Sequence, residues 1–344
     1  MNAQQKSPQE QALDEGRLRV NDDGEFYETT SWAAKDLEPY KRGENPIEPP
    51  AYLMRSDGNA LLYPGRPHVF FGESESLKSW AALAACRSVL EAGLTALYID
   101  FEGAEASFVE RARHVGIPDG AIGGTLRYVR PTEAVVGNAN ARTDLEQELK
   151  PVSGLVVLDG VTEAYALHGW NINDATDAAK YQAAFSVNGA ATISIDHTAK
   201  EAGRGVLGSQ HKRAGLDGAE YEFRSRVRGG RGGESIAEVR VSKDRHGYVR
   251  EWAPANHVVG LFKVNADGAH LVVPGFIDMI DDRDDRVDEV VAFVEENPRT
   301  SARSIRSGLG MGDKEVRDAL KSAEIQGRVR NEGSHQRPAW VVGQ

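Results

Sequence analysis

One cysteine, Cys86, stands in a chain of 344 residues, so neither a disulfide framework nor a cysteine metal site can organise the molecule. Its setting in the alanine-rich stretch "SWAALAACRSVLEAG" marks it as a small core residue and suggests a reducing compartment. Long apolar runs are missing too. Nothing approaches the ~18 residues needed to cross a bilayer, and "MNAQQKSPQEQALDEG" has no apolar signal region, so a cytoplasmic protein is expected. Positive charge is not in excess: 41 Lys and Arg against 52 Asp and Glu leave a net charge of -11. That excludes a globally basic nucleic-acid coat but permits a local basic lining. With 40% hydrophobic residues a large core can form, and the length favours one big domain with appendages.

Residues 1–45 are polar and charged with little aliphatic clustering, which predicts a disordered segment in which "SWAAKDLEPY" is a short docking element. The Pro-rich "NPIEPPAYL" leads into a core spanning 46–275, where Asp57-Gly58 and Pro64-Gly65 are turn signals. There the apolar runs "HVFFG", "TALYIDFE", "LRYVRP", "GLVVLDG" and "ATISIDH" alternate with helical stretches, predicting an α/β fold with a mainly parallel, buried sheet. "GAEYEFRSRV", "RGGRGG", "SIAEVRVSKDR" and "GYVREWAP" then suggest antiparallel hairpins. An acidic linker, 276–286, precedes residues 287–344, whose three helical patterns and final strand predict a small winged-helix domain.

Between the run "HVFF" and the alanine-rich helix lies "GESESLKS", Gly72, Glu73, Ser74, Glu75, Ser76, Leu77, Lys78 and Ser79. The strand-to-helix context is that of the phosphate-binding pattern G-x-x-x-x-G-K-[ST], with Leu77 in the place of its second glycine. In such a loop, backbone N–H groups and a helix N-terminus face phosphate, the lysine reaches the β and γ phosphates, and the hydroxyl ligates magnesium. An ordinary polar turn is the alternative for the eight letters alone. The strand "LYIDFEG" ends in Asp100 and Glu102, and a carboxylate there can orient or deprotonate an attacking water. "LVVLD" ends in Asp159, a Walker-B-like carboxylate for the magnesium side, and "ISIDH" ends in Asp196 and His197. Each strand end alone is also explained as a solvated terminus, but four in one sheet converge on a site. In "VSKDRHG", Lys243 and Arg245 lie two residues apart and hence on one strand face, able to serve as an arginine finger for a neighbouring subunit or simply as a solvated face.

The order P-loop, "YIDFE", "VVLDG", "SIDH", "GSQHK", "SKDRHG" resembles the RecA-fold ATPases of the hexameric-helicase type, especially the RepA-like replicative ATPases of actinobacterial phages and plasmids. The resemblance covers about residues 50–265. It implies ATP and Mg2+ as ligands, with Gly72–Ser79 holding phosphates, Ser79 and Asp159 on the metal side, and Glu102 as general base. It further implies His197 as the γ-phosphate sensor, Gln210 and His211 in a coupling segment, and Lys243 with Arg245 as a finger inserted in trans. Channel-facing loops would be "VTEAYALHGWNINDATD" and "TAKEAGRGVLGSQHKR", with Lys200, Arg204, Lys212 and Arg213 on the DNA backbone. "RSRVRGGRGG" is an additional basic loop whose simpler explanation is a hairpin tip.

The implied function is an ATP-dependent DNA motor of replication or recombination, a hexameric ring with single-stranded DNA in its channel, duplex DNA against the C-terminal domain, and replication or recombination proteins as further partners. Two rivals remain: a nucleotide-responsive recombination mediator or initiator that does not unwind, and an assembly protein whose nucleotide site has decayed. The last is motivated by Leu77, whose restricted φ and added bulk predict weakened nucleotide affinity or a remodelled loop. The helical stretch between Asp159 and Asp196 also looks about one turn shorter than the resemblance expects.

Overall fold

The computed structural model describes residues 17–21, 23–30, 32–44, 46–185, 187, 189–197, 216–230, 232–254, 256–274, 282–325, 327–333 and 339–343. The chain divides into two units, residues 1–48 and 49–344. In the first, β1 (Leu18–Val20) pairs antiparallel with β2 (Phe26–Glu28), followed by the single-turn helix α1 (Glu38–Lys41). The hairpin turns because the Asn21 side-chain oxygen accepts from the backbone N–H of Asp23 and Glu25, at 3.1 and 2.8 Å. None of the described side chains before residue 49 is buried.

The second unit begins with β3 (Tyr52–Met54) and β4 (Ala60–Leu62), joined by the Asp57-Gly58 turn. There follow β5 (Pro67–Gly72), α2 (Lys78–Glu91), β6 (Ala96–Asp100), α3 (Glu105–His114), β7 (Leu126–Val129), α4 (Ala139–Leu149), β8 (Leu155–Asp159), α5 (Val161–His168), α6 (Ala175–Phe185), β9 (Ala191–His197), β10 (Ala219–Val227), β11 (Ser235–Asp244), α7 (Tyr248–Trp252), β12 (Val258–Asn265) and β13 (Gly268–Val272). Nine of these strands form one sheet in the order β13-β12-β11-β10-β5-β9-β8-β6-β7. From β10 to β7 every neighbouring pair is parallel, and β11, β12 and β13 are added as antiparallel hairpins. This is the α/β architecture with a mainly parallel sheet followed by antiparallel hairpins that the alternating pattern predicts.

The central strands are apolar throughout because both faces are covered. Every residue of β6 and β8 is buried. On one face α2 presents Ala81, Ala82, Leu83, Ala85, Cys86 and Val89, all buried, and its small side chains let the helix approach the sheet closely. Cys86 is a core residue there, and burial holds its thiol above the usual range. On the other face Val161, Tyr165, Tyr181 and Phe185 from α5 and α6 cover Leu97, Ile99, Val156 and Leu158.

Two local expectations change. "GYVREWAP" does not extend a hairpin: α7 forms because the Asp244 carboxylate accepts from the N–H of Val249 and Arg250, both at 3.0 Å, capping a helical turn. The segment 161–177, expected as a channel loop, opens with the two turns of α5 because Val161, Ala164 and Tyr165 fall on one buried face.

The C-terminal residues form α8 (Asp282–Glu296), α9 (Ala302–Leu309), α10 (Asp313–Ile325) and the antiparallel pair β14 (Val329–Asn331) and β15 (Trp340–Val342). They enclose a separate apolar cluster built from Val287, Val290, Val294, Ile305, Leu320 and Val329, among others. Ser301 caps α9 by accepting from Ser304 N–H at 3.1 Å. Among the described residues no helix is long and apolar enough to cross a membrane.

One contact fixes how β5 ends. Gly72 pairs with Phe223 of β10 and His197 of β9, and a Cβ built on it would lie 2.2 Å from the Phe223 carbonyl oxygen and 2.9 Å from Ser76 Oγ. Gly72→Ala therefore forces two paired strands apart and is expected to destabilise the protein by ~3 kcal/mol. Chemical denaturation checks this, and a midpoint equal to that of the unmodified protein would show that the strands yield freely.

Candidate functional site

The parallel register brings the polar strand ends to one edge of the sheet. Asp100 lies level with Asp159, Asp159 with Ile195, and Gly72 with His197. A cavity of about 760 Å³ opens beyond this edge, lined by Ser74–Trp80, Glu102, Asp159, Ile195 and His197, as binding beyond strand carboxyl ends requires. The structure thus gathers Lys78, Ser79, Glu102, Asp159 and His197 at one place.

The loop from Gly72 to Ser79 wraps around the lysine. Lys78 Nζ donates to the carbonyl oxygens of Gly72 and Glu73, at 3.0 and 2.6 Å, and to Ser76 Oγ at 3.2 Å. Ser76 Oγ in turn donates to the Glu73 carbonyl at 2.8 Å. Burial pulls the Lys78 ammonium down to about 8, against the opposing pull of Asp159, Glu102, Asp196 and Glu73. An anion entering the loop would restore what burial removes.

Leu77 takes the left-handed conformation, with φ 67° and ψ 14°. For an L-residue this costs ~1–2 kcal/mol, the penalty the pattern's glycine would avoid. The loop accordingly keeps a glycine-like path, and the leucine side chain packs partly against the main apolar core. The strain falls on stability more than on the shape of the cradle. Glu75, with φ 63°, is a second non-glycine residue in this region.

Asp159 is held on two sides. Tyr98 OH donates to its Oδ2 at 2.5 Å, and the Ser79 hydroxyl is near enough to favour its charged form. Burial raises the Asp159 carboxyl above its ordinary value, and these two hydroxyls oppose the shift. Ser79 and Asp159 form an all-oxygen pair with a fixed orientation, which fits a hydrated magnesium ion whose remaining ligands are phosphates and water. Among the described residues no group of three or more His, Cys, Asp or Glu side chains could hold a metal ion.

Glu102 is placed by the turn after β6. Asp100 Oδ1 accepts from the N–H of Glu102 and Gly103, at 3.0 and 2.6 Å, while Tyr128 OH donates to Oδ2 at 3.2 Å. His197 Nε2 lies 3.3 Å from Glu102 Oε1. Burial, and then the hydrogen bond and charge of Glu163 on the first turn of α5, push the Glu102 carboxyl up to about 8. A carboxylic acid with that value is suited to exchanging protons near neutral pH.

Lys243 and Arg245 are not brought to this cavity. Lys243 pairs with Glu220, itself level with Val69, and Arg245 N–H donates to the Gly218 carbonyl at 3.0 Å, near Pro67. Arg245 therefore lies at the amino edge of β5, roughly 17 Å along the strand from Gly72. Its side chain is exposed, while Lys243 Nζ donates to the Leu216 carbonyl at 2.8 Å. Lys200, Arg204, Gln210, His211, Lys212 and Arg213 lie outside the described residues.

Several lining residues escape the motif reading. α3 supplies Ser107, Glu110, Arg111 and His114, and β12 supplies Val264 and Asn265. The tip between β10 and β11 supplies Arg228, Gly229, Gly230, Gly232, Gly233 and Ser235. The visible signal was "RGGRGG" itself. What hid its place was the parallel pairing of β10 with β5, which no local pattern encodes.

A family model described as an AAA domain matches residues 28–203, just over half of the chain. No curated protein matches it. Among solved structures it is similar to the flagellar accessory protein FlaH from Methanocaldococcus jannaschii, at 13% identity over 65% of this chain and 99% of that one, with a TM-score of 0.45.

The Glu102–Glu163 pair yields a measurable expectation. In nucleotide-free protein, carboxyl carbon NMR should report a Glu102 titration near 8. Glu163→Gln should lower the Glu102 midpoint while the larger effect of burial keeps it above the ordinary carboxylate range. A midpoint unmoved by that substitution would remove Glu163 as a cause.

Proposed function

The chain belongs to the AAA-domain family, and on that premise we propose that it is an ATP-driven DNA motor, a RepA-like helicase or translocase that hydrolyses ATP at the subunit interfaces of a hexameric ring in replication or recombination. The observation that carries this reading is the separation of Arg245 from the cavity. The cavity holds the lysine, the metal-side pair and the candidate base. The exposed arginine stands at the amino edge of the same sheet, away from its own cavity, which supports a role at the nucleotide of a neighbouring subunit.

In this reading Lys78 and the loop N–H groups hold the β and γ phosphates, exchanging the lysine's bonds to its own loop for bonds to phosphate. Ser79 and Asp159 hold magnesium, which neutralises charge on the phosphates when it is bound with the nucleotide. Glu102, once deprotonated, orients the attacking water and accepts its proton, and His197 beside it senses whether the γ-phosphate is present. Arg245 from a neighbour stabilises the transferring phosphoryl group, with Lys243 beside it. Lys200, Arg204, Lys212 and Arg213 contact the phosphate backbone of single-stranded DNA in the channel.

ATP turnover with and without single-stranded DNA tests the proposal. Turnover stimulated by DNA is expected, and Lys78→Ala should lower it at least ~100-fold. Turnover indifferent to DNA would end the motor reading and favour an ATPase with another cargo. Because Leu77 already follows the path of a glycine, Leu77→Gly should leave turnover close to that of the unmodified protein. A variant active only with glycine at this position would instead mark the natural loop as disabled.

A further inference from the structure

The hairpin tip between β10 and β11 has no part in the reading above, although it borders the same cavity as the phosphate loop. β10 runs parallel to β5 and pairs Phe223 with Gly72, then continues through Val227, four residues and roughly 13 Å past the end of the loop's own strand. The overhang is stiff. The fully buried Glu238 of β11 pairs with both Arg226 and Arg240. The turn is set at Gly229: a Cβ there would lie 2.3 Å from the Glu234 carbonyl oxygen, and its N–H donates to Ser235 Oγ at 3.0 Å. Arg228, immediately before this turn, is aimed back at the loop and donates to Glu73 Oε2 at 3.1 Å.

Glu73 is the residue whose carbonyl holds Lys78 Nζ, so the guanidinium already sits beside the phosphate cradle. Three described cations line the cavity. Lys78 is bonded into its own loop, and Arg111 lies over the Trp80 ring at 5.9 Å. Arg228 instead rests on a carboxylate in an exposed pair, with side chains 55% and 71% accessible. Such a pair is screened and exchanges partners at little cost, whereas guanidinium and phosphate match in a bidentate geometry.

We propose that Arg228 is a phosphate-binding residue of its own subunit's site, which leaves Glu73 to contact the terminal phosphate of a bound nucleoside triphosphate. The proposal rests on the ATP site described above and adds to it a cation supplied in cis. Glu73 is then a competitor that keeps the arginine over the loop while the loop lacks nucleotide.

Equilibrium binding of a fluorescently labelled, non-hydrolysable ATP analogue and of labelled ADP to the full chain with magnesium tests this. Arg228→Ala should weaken the triphosphate analogue by about tenfold or more while leaving ADP nearly unchanged, and Arg228→Lys should recover part of the loss. Glu73→Gln should tighten the triphosphate alone. An equal loss for both nucleotides, or none for either, overturns the role of Arg228 while the ATP site stands. If the unmodified protein binds neither nucleotide, or Lys78→Ala binds both as well as it does, the ATP-site reading fails and this proposal fails with it.

Discussion

Everything at the candidate site depends on parallel strands whose carboxyl ends stop at one edge of the sheet. Hydrogen bonding fixes the register residue by residue, so Asp100, Asp159, Gly72 and His197 cannot be placed independently. A slip of one residue in any of these strands would send its terminal side chain to the opposite face. The buried apolar runs within β6 and β8 set that register, and the loops beyond them inherit it. Chemistry at the edge is therefore underwritten by packing in the middle.

The edge carries opposing charges that restrain one another. Lys78, buried and bonded to its own loop, stands among Asp159, Glu102, Asp196 and Glu73. Burial works against the charged form of the lysine and of the carboxyls alike, lowering the first and raising Asp159 and Glu102. An incoming polyphosphate with its cation changes the balance for all of them at once. The left-handed Leu77 belongs to the same economy of fit, since backbone strain is tolerated where the surrounding structure fixes the path of the chain.

Much of this was legible in the sequence. Strands with continuous apolar runs and polar ends announce a buried parallel sheet, and "GESESLKS" between a strand and an alanine-rich helix announces the loop. Glu102, Asp159 and His197 follow from counting to the strand ends. Other features were hidden because they depend on contacts distant in sequence. The fate of Leu77 required a backbone angle, and the turn of α7 required the Asp244 carboxylate to face two N–H groups. Arg228 reaches the loop only through the pairing of residues about 150 positions apart, Gly72 with Phe223, so a glycine-rich tip looked like an ordinary turn. Glu163 was invisible as a partner of Glu102 because a helix following Asp159 had been expected to be a loop.

In the proposed motor a complete nucleotide site needs two copies of this chain, one giving the cavity and the other Arg245. Mixing subunits tests it directly. Lys78→Ala and Arg245→Ala proteins, each expected to be inactive alone, are combined and ATP turnover is measured. The account predicts that the mixture regains turnover, because an intact cavity from an Arg245→Ala subunit meets an intact arginine from a Lys78→Ala subunit. A mixture of demonstrably associated subunits that stays as inactive as its components would contradict it.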